Sequence, residues 1–158
     1  MANPPNSIQL RPAAATDETF LLELYKSSRG EDVRGLGWDE QRVSNFLDMQ
    51  HQAQQRFESE YQSADNQIIL REGAAIGRLL VDRRSEEIRC VDIALMPQYR
   101  NGGIGSMLLR TLQNEAKQIG KPLRLQIIRF NRAVNLFERL GFVRTSETGT
   151  HFQMEWVP

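Results

Sequence analysis

Three glycines within four residues, Gly102, Gly103 and Gly105, separate Arg100 from a helix-patterned segment in the stretch MPQYRNGGIGSMLLRTLQNEAKQIG. A turn needs one glycine or two, so this density asks for a second cause. The first four N–H groups of a helix have no internal partners and point out of its N-terminus, where the helix dipole is positive. A phosphate placed there gains several hydrogen bonds at once, provided that no side chain blocks its approach. Asn101 also tolerates a positive φ, and Arg100 adds a fixed cation beside the opening. Residues 100–106 (Arg100, Asn101, Gly102, Gly103, Ile104, Gly105, Ser106) therefore suit a phosphate or pyrophosphate, and the apolar strand before them suits an extended ligand. The spacing is neither the G-x-G-x-x-G dinucleotide fingerprint nor a P-loop, because no Gly-Lys-Ser/Thr follows. A tight strand-to-helix turn, with glycines needed only for packing, is the alternative.

Other reactive side chains are few. Cys90 is the single cysteine, which rules out an internal disulfide and, with only two histidines, argues against a zinc or other metal site. No histidine is positioned in sequence to activate Cys90, so a plain core or surface thiol is the simpler reading. Twenty basic residues balance twenty acidic ones, so no overall field attracts nucleic acid or an anionic membrane, and anion binding must be local. No apolar run approaches the roughly 18 residues of a membrane span, and MANPPNSIQLRP has no apolar signal core, which makes a cytoplasmic protein the default. At 158 residues and 40% hydrophobic content, the chain fits one domain over residues 1–158 with a real core.

The elements that must position these groups follow from periodicity. Residues 7–11 read as a strand stopped by Pro12, and Thr16 or Asp17 caps a helix carrying Phe20, Leu21, Leu24 and Tyr25. The glycine-bearing SRGEDVRGLGW reads as a loop. Val43, Phe46, Leu47, Ala53, Phe57 and Tyr61 mark one face of a long helix with a solvated, glutamine-rich middle. QIILREG, AAIGRLLVDRR and EIRCVDIALM are strands, with a hairpin tip at residues 83–86. Ile104, Met107, Leu108, Leu112, Ala116 and Ile119 form a clean helical stripe that Gly120 and Pro122 terminate. LRLQIIRF is a strand, NRAVNLFERL a short helix ended by Gly141, and FVRT and FQMEWV close the chain as strands. The order β-α-α-β-β-β-α-β-α-β-β describes one mixed α/β domain.

Two motifs in this order resemble the GNAT superfamily of acyl-CoA N-acyltransferases. Its signature Arg/Gln-x-x-Gly-x-Gly/Ala is met by Arg100, Gly103 and Gly105 in DIALMPQYRNGGIGSMLL. Its later motif N-x-x-A-x-x-L-Y-E-x-x-G-F is similar to NRAVNLFERLGF, with Asn131, Ala133, Leu136, Glu138, Gly141 and Phe142 in place. The resemblance covers nearly the whole chain. It implies a single-domain GNAT-like fold, a mixed central sheet flanked by helices, in which EIRCVDIALM splays from its parallel neighbour LRLQIIRF. It further implies acetyl-CoA as co-substrate, with the pyrophosphate on the amides of residues 100–106, the pantetheine arm along Leu95 and Met96, and Asn131 hydrogen-bonded to the cofactor. Asn131 stands one residue nearer Ala133 than the family spacing.

The family chemistry implies a direct attack by a neutral amine, its proton taken by a carboxylate. Asp92, within the apolar VDIAL, is the better candidate base and Glu87 the lesser; a structural carboxylate bonded to a strand or an arginine is the alternative for Asp92. The tyrosine that protonates the departing thiolate in the family is Phe137 here, and the sequence offers Tyr25, Tyr61 and Tyr99 as substitutes without placing any of them. The acceptor is expected between Glu31, Asp32, Trp38, Asp39 and Glu40 on one side and Glu147 and His151 on the other, a set that suits a cationic amine. These readings make the chain an N-acetyltransferase acting on a primary amine of a small molecule or peptide, with room for a homodimer. A CoA-binding sensor that has lost catalysis, argued from Phe137, is the rival; a nucleotide-binding module is disfavoured by the missing fingerprint.

Overall fold

The computed structural model describes residues 7–129 and 131–158, and of Glu31, Asp32 and Arg34 only the helical backbone. In chain order it contains β1 (Ile8–Pro12), α1 (Glu18–Arg34), α2 (Glu40–Glu58), β2 (Asp65–Arg71), β3 (Ala74–Arg83), β4 (Ile88–Leu95), α3 (Ile104–Ile119), β5 (Leu123–Ile128), α4 (Ala133–Arg139), β6 (Val143–Glu147) and β7 (His151–Trp156). The strands form one sheet in the order β1-β2-β3-β4-β5-β7-β6. Only β4 and β5 pair in parallel, as the connection through α3 requires. Phe130, at the end of the expected strand LRLQIIRF, lies outside the described residues.

α1 departs from expectation. Residues 28–34, read as loop from their glycines, continue the helix to Arg34. A glycine inside a helix costs about 1 kcal/mol relative to alanine; Gly30 is buried, and packing of α1 on β3 and β4 outweighs that propensity. Asp17 does not cap α1 through its side chain; its carboxylate takes two 2.8 Å hydrogen bonds from Arg11 and one from the Ala14 N–H. Those bonds, Arg11 first, hold its pKa down to about 2.

α2 starts where Asp39 accepts a 2.8 Å bond from the Arg42 N–H. Its inward face follows the expected apolar positions at Val43, Phe46 and Leu47 and departs from them in the second half. Leu47 and His51 are buried and Gln54 and Glu58 follow on the same face, whereas Ala53 and Phe57 are exposed. In α3 Ile104, Leu108, Leu112 and Ala116 of the expected stripe are buried, Met107 is half-buried, Ile119 is at the exposed end, and Gly120 closes the helix at φ 67°. α3 and α4 cover one face of the sheet; α1 and α2 cover the other.

One irregularity in β4 positions the site. Val81 pairs with Cys90 but Leu80 pairs with Asp92, so Val91 is an extra residue, a β-bulge. Side chains alternate along a strand, and the bulge shifts that alternation by one. Ile88 and Cys90 enter the α3-side core, and after the bulge Ile93 and Leu95 do so. Asp92 and Ala94 therefore face α1 and α2. Pairing with β5 also stops there: only Ile88, Arg89 and Cys90 have partners in β5. Beyond Cys90 the two parallel strands diverge, and residues 92–95 keep one edge without a strand partner.

Gly77 on β3 makes this geometry feasible. A Cβ there would lie 2.3 Å from the Ala94 carbonyl oxygen and 2.9 Å from Leu95 Cδ2. Gly77→Ala must push β4 away at the stretch that borders the divergence. The expected loss is about 1–3 kcal/mol, the usual range for overpacking, read as a lowered Tm together with weaker coenzyme binding. An alanine variant as stable as the parent would contradict this account of the strand spacing. No helix among the described residues is long and apolar enough to cross a membrane.

Candidate functional site

The glycine loop forms an open cradle at the start of α3. Asn101 (φ 63°) and Gly103 (φ 85°) adopt the left-handed conformation, which explains these two residue types locally. Gly103 is the N-cap and offers no side-chain bond to the first turn. The first helical bond of this turn is Met107 N–H to the Gly103 carbonyl, so the amides of residues 104–106 lack helical partners. A Cβ at Gly103 meets nothing within 4 Å, and one at Gly105 meets only Leu136 at an ordinary 3.7 Å. Packing therefore does not require glycine at 105; an approaching ligand would. Three free amides, a positive dipole end and empty space fit a pyrophosphate.

A cavity of about 940 Å³ runs from this cradle to the face of α1 and α2. At the cradle its wall includes Arg100, Asn101, Gly103, Gly105 and Ser106. Along the divergence it includes residues 92–95, Asn131, Ala133 and Phe137. Three of the residues expected to meet the coenzyme do not line this cavity. Met96 is off the wall, its N–H donating to the Ile76 carbonyl on the β3 side (2.8 Å). The open edge belongs to Leu95 and the residues before it. Gly102 also lies off the wall, and the Ile104 side chain is buried in the core, leaving only its amide for a ligand. Arg100 turns back rather than standing free, donating to the Leu95 carbonyl (3.1 Å) and approaching Ser28 Oγ (3.4 Å).

Asn131 lies on the wall with its Oδ1 occupied, accepting the Ala133 N–H at 2.8 Å to start α4. Its amide NH₂ remains available to donate. Phe137 is 4% exposed and packs edge-on against Phe142 at 5.5 Å, yet its ring also forms part of the wall. Tyr25 alone among the three tyrosines lines the large cavity; Tyr61 lines a smaller one of about 140 Å³.

Apart from Asp92 and Tyr25, the far end of the cavity was not legible in the sequence. Tyr25, Ser28 and Arg29 from α1, His51 and Gln54 from α2 and Arg78 from β3 converge around Asp92. Arg78 is 8% exposed, with Nη2 2.7 Å from Glu58 and Nε 3.8 Å from Asp92. The Glu58 contact is electrostatic and off the N–H direction, so neither nitrogen makes a hydrogen bond. Burial, with Glu58 adding to it, raises the Asp92 pKa above the usual carboxylate value against the pull of Arg78 and Arg29. Burial likewise lowers His51 and raises Tyr25, whose rings lie 5.1 Å apart, so both are neutral near pH 7.

Other expected groups lie elsewhere. Glu87 is a structural carboxylate, 3.2 Å from Arg89 and 3.9 Å from Arg124, and is not on the wall. Cys90 is buried and its thiol is pushed up to about 12, which makes it inert at neutral pH. Trp38 stacks beneath Arg42 at 4.0 Å, and Trp38, Asp39, Glu40 and Glu147 line neither cavity. His151 borders the smaller cavity only, while the side chains of Glu31 and Asp32 lie outside the described residues. Among the described residues no cluster of histidine, cysteine and carboxylate groups could hold a metal ion.

Residues 36–158 match the family model described as an acetyltransferase (GNAT) domain. A comparison with curated protein sequences gives no match. Solved structures resemble the chain over nearly its whole length. PaiA N-acetyltransferase from Thermoplasma acidophilum, in complex with coenzyme A, is 20% identical over 96% of this chain and 99% of its own, with a TM-score of 0.73. The ribosomal-protein-S18-alanine N-acetyltransferase from Escherichia coli is 17% identical over 95% of this chain and 93% of its own, at 0.62. A GNAT family acetyltransferase from Elizabethkingia anophelis with acetyl-CoA bound is 15% identical over 97% and 99%, also at 0.62. At these identities the likeness speaks for the fold.

Proposed function

The chain belongs to the GNAT acetyltransferase family, and from that premise we propose that it transfers an acetyl group from acetyl-CoA to a primary amine by direct attack, residues 1–158 acting as one domain. One observation carries this reading: a single continuous cavity joins the free amides of α3, the open edge of β4 and the Asp92 carboxylate. Acetyl-CoA supplies an activated acyl carbon and a thiolate leaving group. The chain supplies position and a proton acceptor. The amides of residues 104–106 hold the pyrophosphate, the Leu95 backbone and the Asn131 amide orient the arm, and the divergence beyond Cys90 gives the thioester its place. Asp92 takes the proton that the amine nitrogen releases as the new C–N bond forms and the C–S bond breaks.

The departing thiolate needs no tyrosine at position 137. An alkyl thiol has a pKa near 8.5, so the thiolate at pH 7 lies only about 2 kcal/mol above the thiol and can take its proton from water. Thermal-shift titration with CoA, acetyl-CoA and longer acyl-CoAs, followed by free-thiol release across a panel of amines, tests the proposal. We expect acetyl-CoA to raise Tm and thiol to appear only with an amine present. Phe137→Tyr should change that rate by less than the roughly 10²–10⁴ of a positioned general acid. Tight binding with no turnover on any amine, and activity gained only as Phe137→Tyr, would make the protein a retired acyltransferase that senses CoA.

A further inference from the structure

The charge on the cavity wall narrows the acceptor. Among the described residues Asp92 is the only carboxylate there, against Arg29, Arg78, Arg100, Arg132 and Arg139. Arg132 and Arg139 lie toward α4, on the side of the phosphates, and Arg100 lies between the two ends with N–H groups committed to the Leu95 carbonyl and Ser28 Oγ. Arg29 and Arg78 stand with Asp92 at the opposite end. Glu58 sits behind Arg78 and off the wall, so that pair is close to neutral. Arg29 has no ion-pair partner among the described residues; it lies over the Tyr25 ring at 6.0 Å, and its charge is near enough to lower the Asp92 pKa. The acceptor end thus presents one cation and one anion side by side, plus a buried guanidinium whose Nε–H lacks a hydrogen bond. A polyamine would bring its second ammonium against Arg29. A zwitterion meets both charges.

We propose that the acceptor is a small amine that also carries a carboxylate, an amino acid or close analogue, its nitrogen at Asp92 and its carboxylate on Arg29 with Arg78 Nε–H as a second donor. A guanidinium binds a carboxylate through paired N–H groups, which a neutral amide or a bare alkyl amine cannot reproduce. The inference rests on the acetyl-transfer reading and replaces the cationic acceptor expected from the sequence.

The test compares an amino acid, its amide and its decarboxylated amine, with kcat/KM corrected for the free-amine fraction. It adds calorimetry of the same three compounds into CoA-bound protein. The acid should exceed both analogues by tenfold or more in each measurement. Arg29→Gln should remove that preference while CoA affinity stays unchanged. An amide or amine equal to or better than the acid, or a preference that survives Arg29→Gln, overturns the proposal. If no amine releases thiol, acetyl transfer fails, and calorimetry still decides the acceptor site: heat from the acid alone supports it, and equal heats or none refute it.

Discussion

Gly105→Glu should abolish coenzyme A binding without lowering the thermal stability of the protein. The two halves of this result have separate causes. Position 105 is in the first turn of α3, has ordinary helical backbone, and a Cβ there meets only Leu136 at 3.7 Å. Replacing glycine in a helix gains about 0.5–1 kcal/mol, and a carboxylate near a helix N-terminus adds a few tenths more. The same carboxylate occupies the space before the free amides and repels a pyrophosphate. Gly103→Glu should also abolish binding, with some loss of stability, because φ 85° strains any residue with a Cβ. Gly105→Ala is the control: equal or higher Tm with a smaller loss of affinity. Unchanged coenzyme affinity in Gly105→Glu would remove the cradle from the account.

Asp92→Asn carries the second large effect, a fall in kcat/KM of about 10²–10⁴ with coenzyme affinity retained. The raised pKa fixes the pH dependence. A base acts when deprotonated, so wild-type kcat/KM should fall as pH drops through the Asp92 pKa, and burial places that limb above the ordinary carboxylate range. The variant should lack this limb, and its deficit should shrink at high pH, where the amine is already free. Stability runs the other way. A folded-state pKa above the unfolded value favours the protonated carboxyl, so that contribution is full below the unfolded pKa and lost as pH rises through the folded one. Near neutral pH the ionised Asp92 is a liability, and Asp92→Asn should melt no lower than wild type. A stable, fully active Asp92→Asn enzyme would return Asp92 to a structural role.

The glycine-loop end of the cavity left a trace in the sequence because anion binding at a helix N-terminus asks for rare residues in a fixed order: Arg100, Gly103 and Gly105 before an amphipathic α3, then Asn131 before α4. At the other end only Asp92 and Tyr25 stood out. His51, Gln54 and Glu58 recur at helical spacing on α2, but polar residues facing a cavity look the same in sequence as polar residues facing water. Ala53 and Phe57 drew the inward face to the wrong side. Arg78 left a readable trace, a single charge inside the apolar AAIGRLLV, which marks a buried cation that needs a partner. The bulge at Val91 left none, since it uses no glycine and adds one ordinary residue, yet it alone turns Asp92 from the core toward α1 and α2. Gly30 misled in the opposite sense, because a buried glycine within a packed helix and a loop glycine are identical in one sequence.

On the proposed mechanism, one cavity holds acetyl-CoA and the amine together for direct transfer. Initial velocities measured with both substrates varied test it most directly. Double-reciprocal lines should intersect, as a ternary complex requires, and the intact protein mass should be unchanged after incubation with acetyl-CoA alone. Parallel lines with an acetylated protein would show transfer through a covalent enzyme intermediate and contradict the account.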